Sequence, residues 1–123
     1  MLKETMLAYR ITDIEYAPDL CRLLKAAVTD LKMAGVTIEG VCSFTITETE
    51  DQTTHEVTIT VTDNSTITDD AVKTAMITYV GARGNYVDTD DRDRLAASYD
   101  LQRRQLANAT GYTDFMEPEE AGT

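Results

Sequence analysis

The chain has 123 residues, of which 11 are Lys or Arg and 22 are Asp or Glu, giving a formal net charge of -11, with one histidine and two cysteines. That length suits one domain burying about two-thirds of the surface its unfolded chain exposes, enough for a core without metal or disulfide staples. A DNA-gripping module with a basic patch is excluded, because phosphate neutralisation needs Lys and Arg clustered on one face. A membrane span or secreted product is not expected either, since no apolar run reaches about 18 residues and Lys3 and Glu4 interrupt any signal-like start.

The charge is unevenly spread. Residues 1–40 carry five basic and six acidic groups, and residues 71–111 carry six basic and five acidic. Residues 41–70 hold seven acids and no Lys or Arg, and residues 112–123 hold four acids and no base. The predicted helices are therefore nearly neutral, while the middle of the chain and its last stretch carry the acid.

Residues 2–10 suit a short helix with Leu2, Met6 and Tyr9 on one side, too short to persist unless it packs. A polar turn from Thr12 to Tyr16 leads to Pro18, favoured at a helix start because its missing N–H has no helical partner there. Leu20, Leu24, Ala27, Val28 and Leu31 make the apolar face of a long helix that stops at Gly35 and Val36. From Val41 the period changes to two. Cys42, Phe44 and Ile46 alternate with Ser43, Thr45 and Thr47, and after the EDQTT turn Val57, Ile59 and Val61 alternate with Thr58, Thr60 and Thr62. Such β-branched alternation predicts an antiparallel hairpin over 41–62 with one apolar and one threonine face. Asp69 and Asp70 open a third helix with Val72, Ala75, Met76, Tyr79 and Val80 buried, and the glycines of GARG, Gly81 and Gly84, end it. Thr89 is placed to cap the last helix, with Asp90, Asp91 and Asp93 against the positive end of its dipole. Leu95, Tyr99, Gln102, Leu106 and Ala109 form its stripe, and Gly111 ends it with Tyr112 as the apolar partner. The expected fold is mainly α: a small bundle of about four helices with a β-hairpin inserted between the second and third. Residues 1–111 form the domain and residues 112–123 an acidic, flexible tail.

No motif points to chemistry. The run DTDDRD from Asp88 lacks the glycine and the bidentate Glu of a calcium loop, so it reads as an acidic capping turn. Cys21, Cys42 and His55 lie outside any zinc-ligand spacing, and two reduced, mostly buried thiols with a solvent-facing imidazole are expected. GARG lacks the Gly-Lys-Ser/Thr of a phosphate cradle. With one histidine beside a turn and no carboxylate pair singled out by spacing, no enzyme and no cofactor are expected.

The closing run RLAASYDLQRRQLANATGYTDF, with a Tyr-Asp pair before a Gln-Leu step and a Gly-Tyr exit, resembles the last helix of the small head-to-tail connector (adaptor) proteins of long-tailed bacteriophages. LAYRITDIEYAPDLCRLLKAAVTDLKMAGV resembles that family's opening, and these segments with the helix between them span most of the chain. Residues 41–62 match it only as a strand-like insertion. The resemblance implies a structural protein of the virion neck, made in the host cytoplasm, that forms a ring of about twelve copies beneath the portal protein and extends the DNA channel toward a stopper or tail-completion protein. DNA would pass without sequence-specific binding, repelled by acidic walls. Under that reading Glu48, Glu50, Asp51 and Glu56 of the hairpin turn face the channel or the next ring. Tyr112, Phe115 and Met116 dock on the portal, and one of Arg103 and Arg104 meets a neighbouring subunit. The alternative from another class is an acidic DNA mimic that occupies a nucleic-acid enzyme, for which acid spread along one face is expected.

Overall fold

The computed structural model describes residues 1–110. Helix α1 spans Leu2–Ala8, a 3-10 turn spans Ile14–Tyr16, and α2 spans Ala17–Met33. Strands β1 (Phe44–Glu50) and β2 (Val57–Asp63) follow, then α3 (Asp70–Arg83) and α4 (Thr89–Thr110). The four helices and the antiparallel hairpin between the second and third stand in the order expected from the sequence.

The core is built around α2. Leu20, Leu24, Ala27 and Leu31 are fully buried, as their spacing predicts, and Leu23 and Cys21 widen the apolar stripe on either side. They pack with Val72, Ala75, Met76 and Val80 of α3 and with Tyr99 and Leu106 of α4. Each leucine so placed contributes roughly 1.5–3 kcal/mol of transfer free energy, which outweighs the weak intrinsic stability of helices this short. Gly35 terminates the α2 segment at φ +95, the left-handed conformation that glycine adopts without a side-chain penalty.

Pro18 stands in the first turn of α2, as expected, as its second residue after the fully buried Ala17. Two local expectations are corrected. First, Thr89 is the first helical residue of α4 and not its cap. The Asp88 carboxylate takes that role, accepting from the Asp91 N–H at 2.8 Å, as a charged acceptor one residue earlier reaches the third free N–H of the turn. Second, Gly81 does not end α3, which continues to Arg83 with Gly84 as its cap. Gly81 is buried mid-helix, where an added Cβ would lie 2.5 Å from Leu95 Cδ1 and against the Tyr9 hydroxyl. Its missing side chain lets α1 and α4 approach α3 closely. At the other end of α3, the cap is Asp69, which accepts from the Ala71 and Val72 N–H groups.

The hairpin is not part of this core. Phe44 and Val61 at its base pack against it, but Ile46 and Val57 are 40% and 58% exposed. Beyond the pairing of its own strands, the principal contact of the hairpin is between β2 and the 3-10 turn.

Candidate interaction surface

Strand register decides which side chains the hairpin presents together. Phe44, Ile46, Glu48 and Glu50 stand opposite Asp63, Val61, Ile59 and Val57. Thr45, Thr47 and Thr49 stand opposite Thr62, Thr60 and Thr58 on the other face. Side chains alternate across a strand pair, so the apolar and threonine faces expected from the sequence both form. The apolar face is not purely apolar: Glu48 and Glu50 occupy its distal half, beside exposed Val57 and half-buried Ile59. That arrangement was legible in the sequence as two glutamates at the in-phase positions of an alternating strand.

The four turn acids are not equivalent. Glu48, Glu50 and Glu56 are exposed. Asp51 instead organises the turn, accepting from the Thr53 N–H at 2.7 Å and the Thr54 N–H at 3.1 Å. Those two backbone hydrogen bonds hold its carboxyl below the ordinary aspartate range. His55 adopts φ +61 and leaves its ring 77% exposed, 3.4 Å from the Glu50 carboxylate. The imidazole is thus solvent-facing, as expected.

The Asp51 N–H donates to the Glu56 carbonyl and the Asn64 N–H to the Ser43 carbonyl. Odd-numbered residues of β1 therefore form the hydrogen-bonded pairs, and the backbone groups of Ile46, Glu48, Val57 and Ile59 point outward along the two edges.

At its base the hairpin is tied down. Asp63 accepts from the Leu2 N–H at 2.8 Å and from the chain's amino group at 2.9 Å. Burial pushes its carboxyl up, but these bonds and those from Ser65 outweigh it and hold it at about 2. Glu4 is held at about 2 by the Lys73 ammonium at 2.7 Å and by the same amino group. Hairpin, α1 and α3 are thereby joined by one charged network.

No family model matches this chain, and no curated protein or solved structure matches it either.

The two arginines of α4 have different fates. Arg103 turns inward, 3.1 Å from Asp30 of α2 and with its guanidinium 5.7 Å from the centre of the Tyr99 ring. Tyr99 donates to the same Asp30 carboxylate at 2.6 Å and stacks edge-on against Tyr79. Arg104 is exposed, its Nε donating to the Asp100 carbonyl. Only Arg104 therefore presents its charge to the outside. A second tyrosine–aspartate contact, from Tyr86 to Asp19, ties the α3–α4 connection to the start of α2. These pairs are scaffold contacts that fix α4 on α2.

Cys21 is buried and Cys42 half-buried, and neither is in a disulfide. Burial pushes the Cys21 thiol up to about 11, so it stays protonated and unreactive near neutral pH. Among the described residues no group of three or more His, Cys, Asp or Glu side chains is arranged to hold a metal ion. No described helix is long and apolar enough to cross a membrane. The Gly111 stop and the docking residues Tyr112, Phe115 and Met116 lie outside the described residues.

Among the described residues, the hairpin is the candidate surface. It offers exposed β-branched side chains and carboxylates on one face, a row of hydroxyls on the other, and two open strand edges. It can bind through shape, apolar contact and charge; none of its groups is placed as a nucleophile beside a base.

Proposed function

We propose that this protein is a structural subunit of a bacteriophage neck, a head-to-tail connector whose small helical bundle assembles into a ring of about twelve beneath the portal and lengthens the DNA channel. The observation that carries the reading is the projection of an acidic, incompletely buried hairpin from helices that are nearly charge-neutral. The order of the helices and the run from Arg94 to Phe115 agree with the connector resemblance. Repeated around a ring, the hairpin acids that face the channel, Glu56 on the threonine side among them, form a negative collar that repels a DNA backbone and keeps it from adhering while it passes. Function is then mechanical and electrostatic, with no cofactor and no bond made or broken. The partners are the portal above and a stopper or tail-completion protein below, with Tyr112, Phe115 and Met116 as the portal-docking residues. The place of action is the virion neck, after synthesis in the host cytoplasm.

Light scattering after size exclusion tests the proposal, first on the protein alone and then with the portal protein of the same genome. A ring, or recruitment of about one copy per portal subunit, is the expected result. A monomer that ignores the portal overturns it and favours the acidic DNA-mimic alternative, although the clustering of acid on the hairpin, away from the helices, is unlike a phosphate-spaced stripe.

A further inference from the structure

The exposed apolar-acidic face of the hairpin needs a cover. A two-stranded sheet alone is marginal in water and depends on what its apolar face meets, yet its own subunit covers only the base, at Phe44 and Val61. The missing cover must offer apolar contact to Ile46, Val57 and Ile59 and positive charge to Glu48 and Glu50.

The outer face of α2 has that character. Arg22, Lys25, Thr29 and Lys32 are all exposed along it, and Met33 at its end is 82% exposed. Neither Lys25 nor Lys32 has an ion-pair partner among the described residues, and Arg22 is held by Asp19 at 2.6 Å. The other acid of α2, Asp30, lies toward α4 and is engaged by Tyr99 and Arg103. The stripe is therefore basic where it faces outward, in a chain whose net charge is -11.

We infer that the hairpin of one copy lies across α2 of the next, with Glu48 and Glu50 against Lys25 and Lys32 and with Ile46 and Val57 against the lysine stems and Met33. Distances permit it. Lys25 and Lys32 are two helical turns apart, about 10 Å along the axis, and Glu48 and Glu50 are about 7 Å apart along the strand. The flexible lysine stems close the difference while covering apolar surface. The occupant is a second copy because surface and complement are both exposed in the same subunit, so neither covers the other. A patch whose complement sits elsewhere on the same molecule makes a head-to-tail contact, and repetition of that contact closes a ring or extends a filament.

This inference deepens the connector reading and rests on it only in requiring that copies of the chain meet. It also reassigns the glutamates. Glu48 and Glu50 are interface residues, and the threonine face with Glu56 is left for the channel or the neighbouring ring.

The test is charge reversal with complementation, read by light scattering at low salt. Glu48→Lys with Glu50→Lys, and separately Lys25→Glu with Lys32→Glu, should each weaken self-association about a hundredfold, since like charges placed face to face cost several kcal/mol. All four residues are exposed, so circular dichroism and melting should report folded variants. Mixing the two variants should restore assembly, because each hairpin then meets a helix of opposite charge, and one chain carrying all four reversals should assemble alone. Assembly that persists in both single-surface variants overturns this contact and leaves the ring reading intact. Loss in both without rescue by mixing also overturns it. A wild-type protein that stays monomeric with and without portal overturns the inference and the connector reading together.

Discussion

Gly81→Ala tests whether α1, α3 and α4 meet as closely as described. In an ordinary helix interior the change would stabilise by about 1 kcal/mol, because alanine loses less backbone freedom than glycine. Here the new Cβ meets the Tyr9 hydroxyl and lies 2.8 Å from Tyr9 Cζ and 2.5 Å from Leu95 Cδ1. Tyr9 does not retreat freely, since its hydroxyl donates to the Ile77 carbonyl at 2.5 Å, and Leu95 is fixed by the turn of α4 around buried Tyr99. Overpacking of this kind costs about 1–3 kcal/mol. With both neighbours constrained the upper part of that range applies, for a net loss of about 1–2 kcal/mol after the propensity gain. Urea unfolding followed by far-ultraviolet circular dichroism should show a lower midpoint at unchanged slope, and the thermal midpoint should fall by about 4–8 °C. Adding Tyr9→Phe should recover part of the loss, because the hydroxyl oxygen is the nearest obstacle. A Gly81→Ala protein as stable as wild type or more so would show that the three helices can separate at no cost.

Three further outcomes are expected. Tyr99→Phe removes a charge-assisted hydrogen bond to Asp30, but Asp30 keeps Arg103 and is 30% exposed, so the cost should be near the low end for such bonds, about 1.5 kcal/mol; an effect within about 0.3 kcal/mol of zero in urea unfolding would mean that water replaces the hydroxyl fully. Asp51→Ala should abolish amide-exchange protection at Thr53 and Thr54 while leaving the global unfolding midpoint unchanged, since it organises an exposed turn outside the core; a large drop in midpoint would contradict a hairpin tip independent of the core. In acid, the carboxyls of Glu4 and Asp63 are depressed to about 2 from ordinary values of 4.5 and 3.8, so the stability they contribute is fully present above those ordinary values and is lost as pH falls toward 2. Glu4→Gln should flatten part of that decline in a series of urea midpoints, and an unchanged pH profile would show that the network with Lys73 contributes nothing; Glu4 is 44% exposed, so solvent screening keeps its share small.

Element type was written locally. The spacing of Leu20, Leu24, Ala27 and Leu31 places four side chains on one side of any helix, and those residues are fully buried. The alternation from Cys42 to Thr62 permits no helix with a coherent face, and strands formed there in a register that leaves three threonine pairs on one side. The unequal spread of charge, with acid on the hairpin and near-neutral helices, is likewise a property of the sequence alone.

Partnership was decided only by tertiary contact. Gly81 has the sequence signature of a helix stop, yet it is a packing residue, because Tyr9 arrives from 72 positions earlier and Leu95 from the next helix. Adjacent Arg103 and Arg104 are chemically alike, but only Arg103 lies within reach of Asp30, so one is consumed in the scaffold and the other faces solvent. Asp51 is indistinguishable by residue type from the acids around it until the turn folds and aims two backbone N–H groups at it. Periodicity is carried by neighbours a few residues apart and can be read from a string, whereas the use of a charge or a missing side chain depends on which distant atoms the fold brings against it.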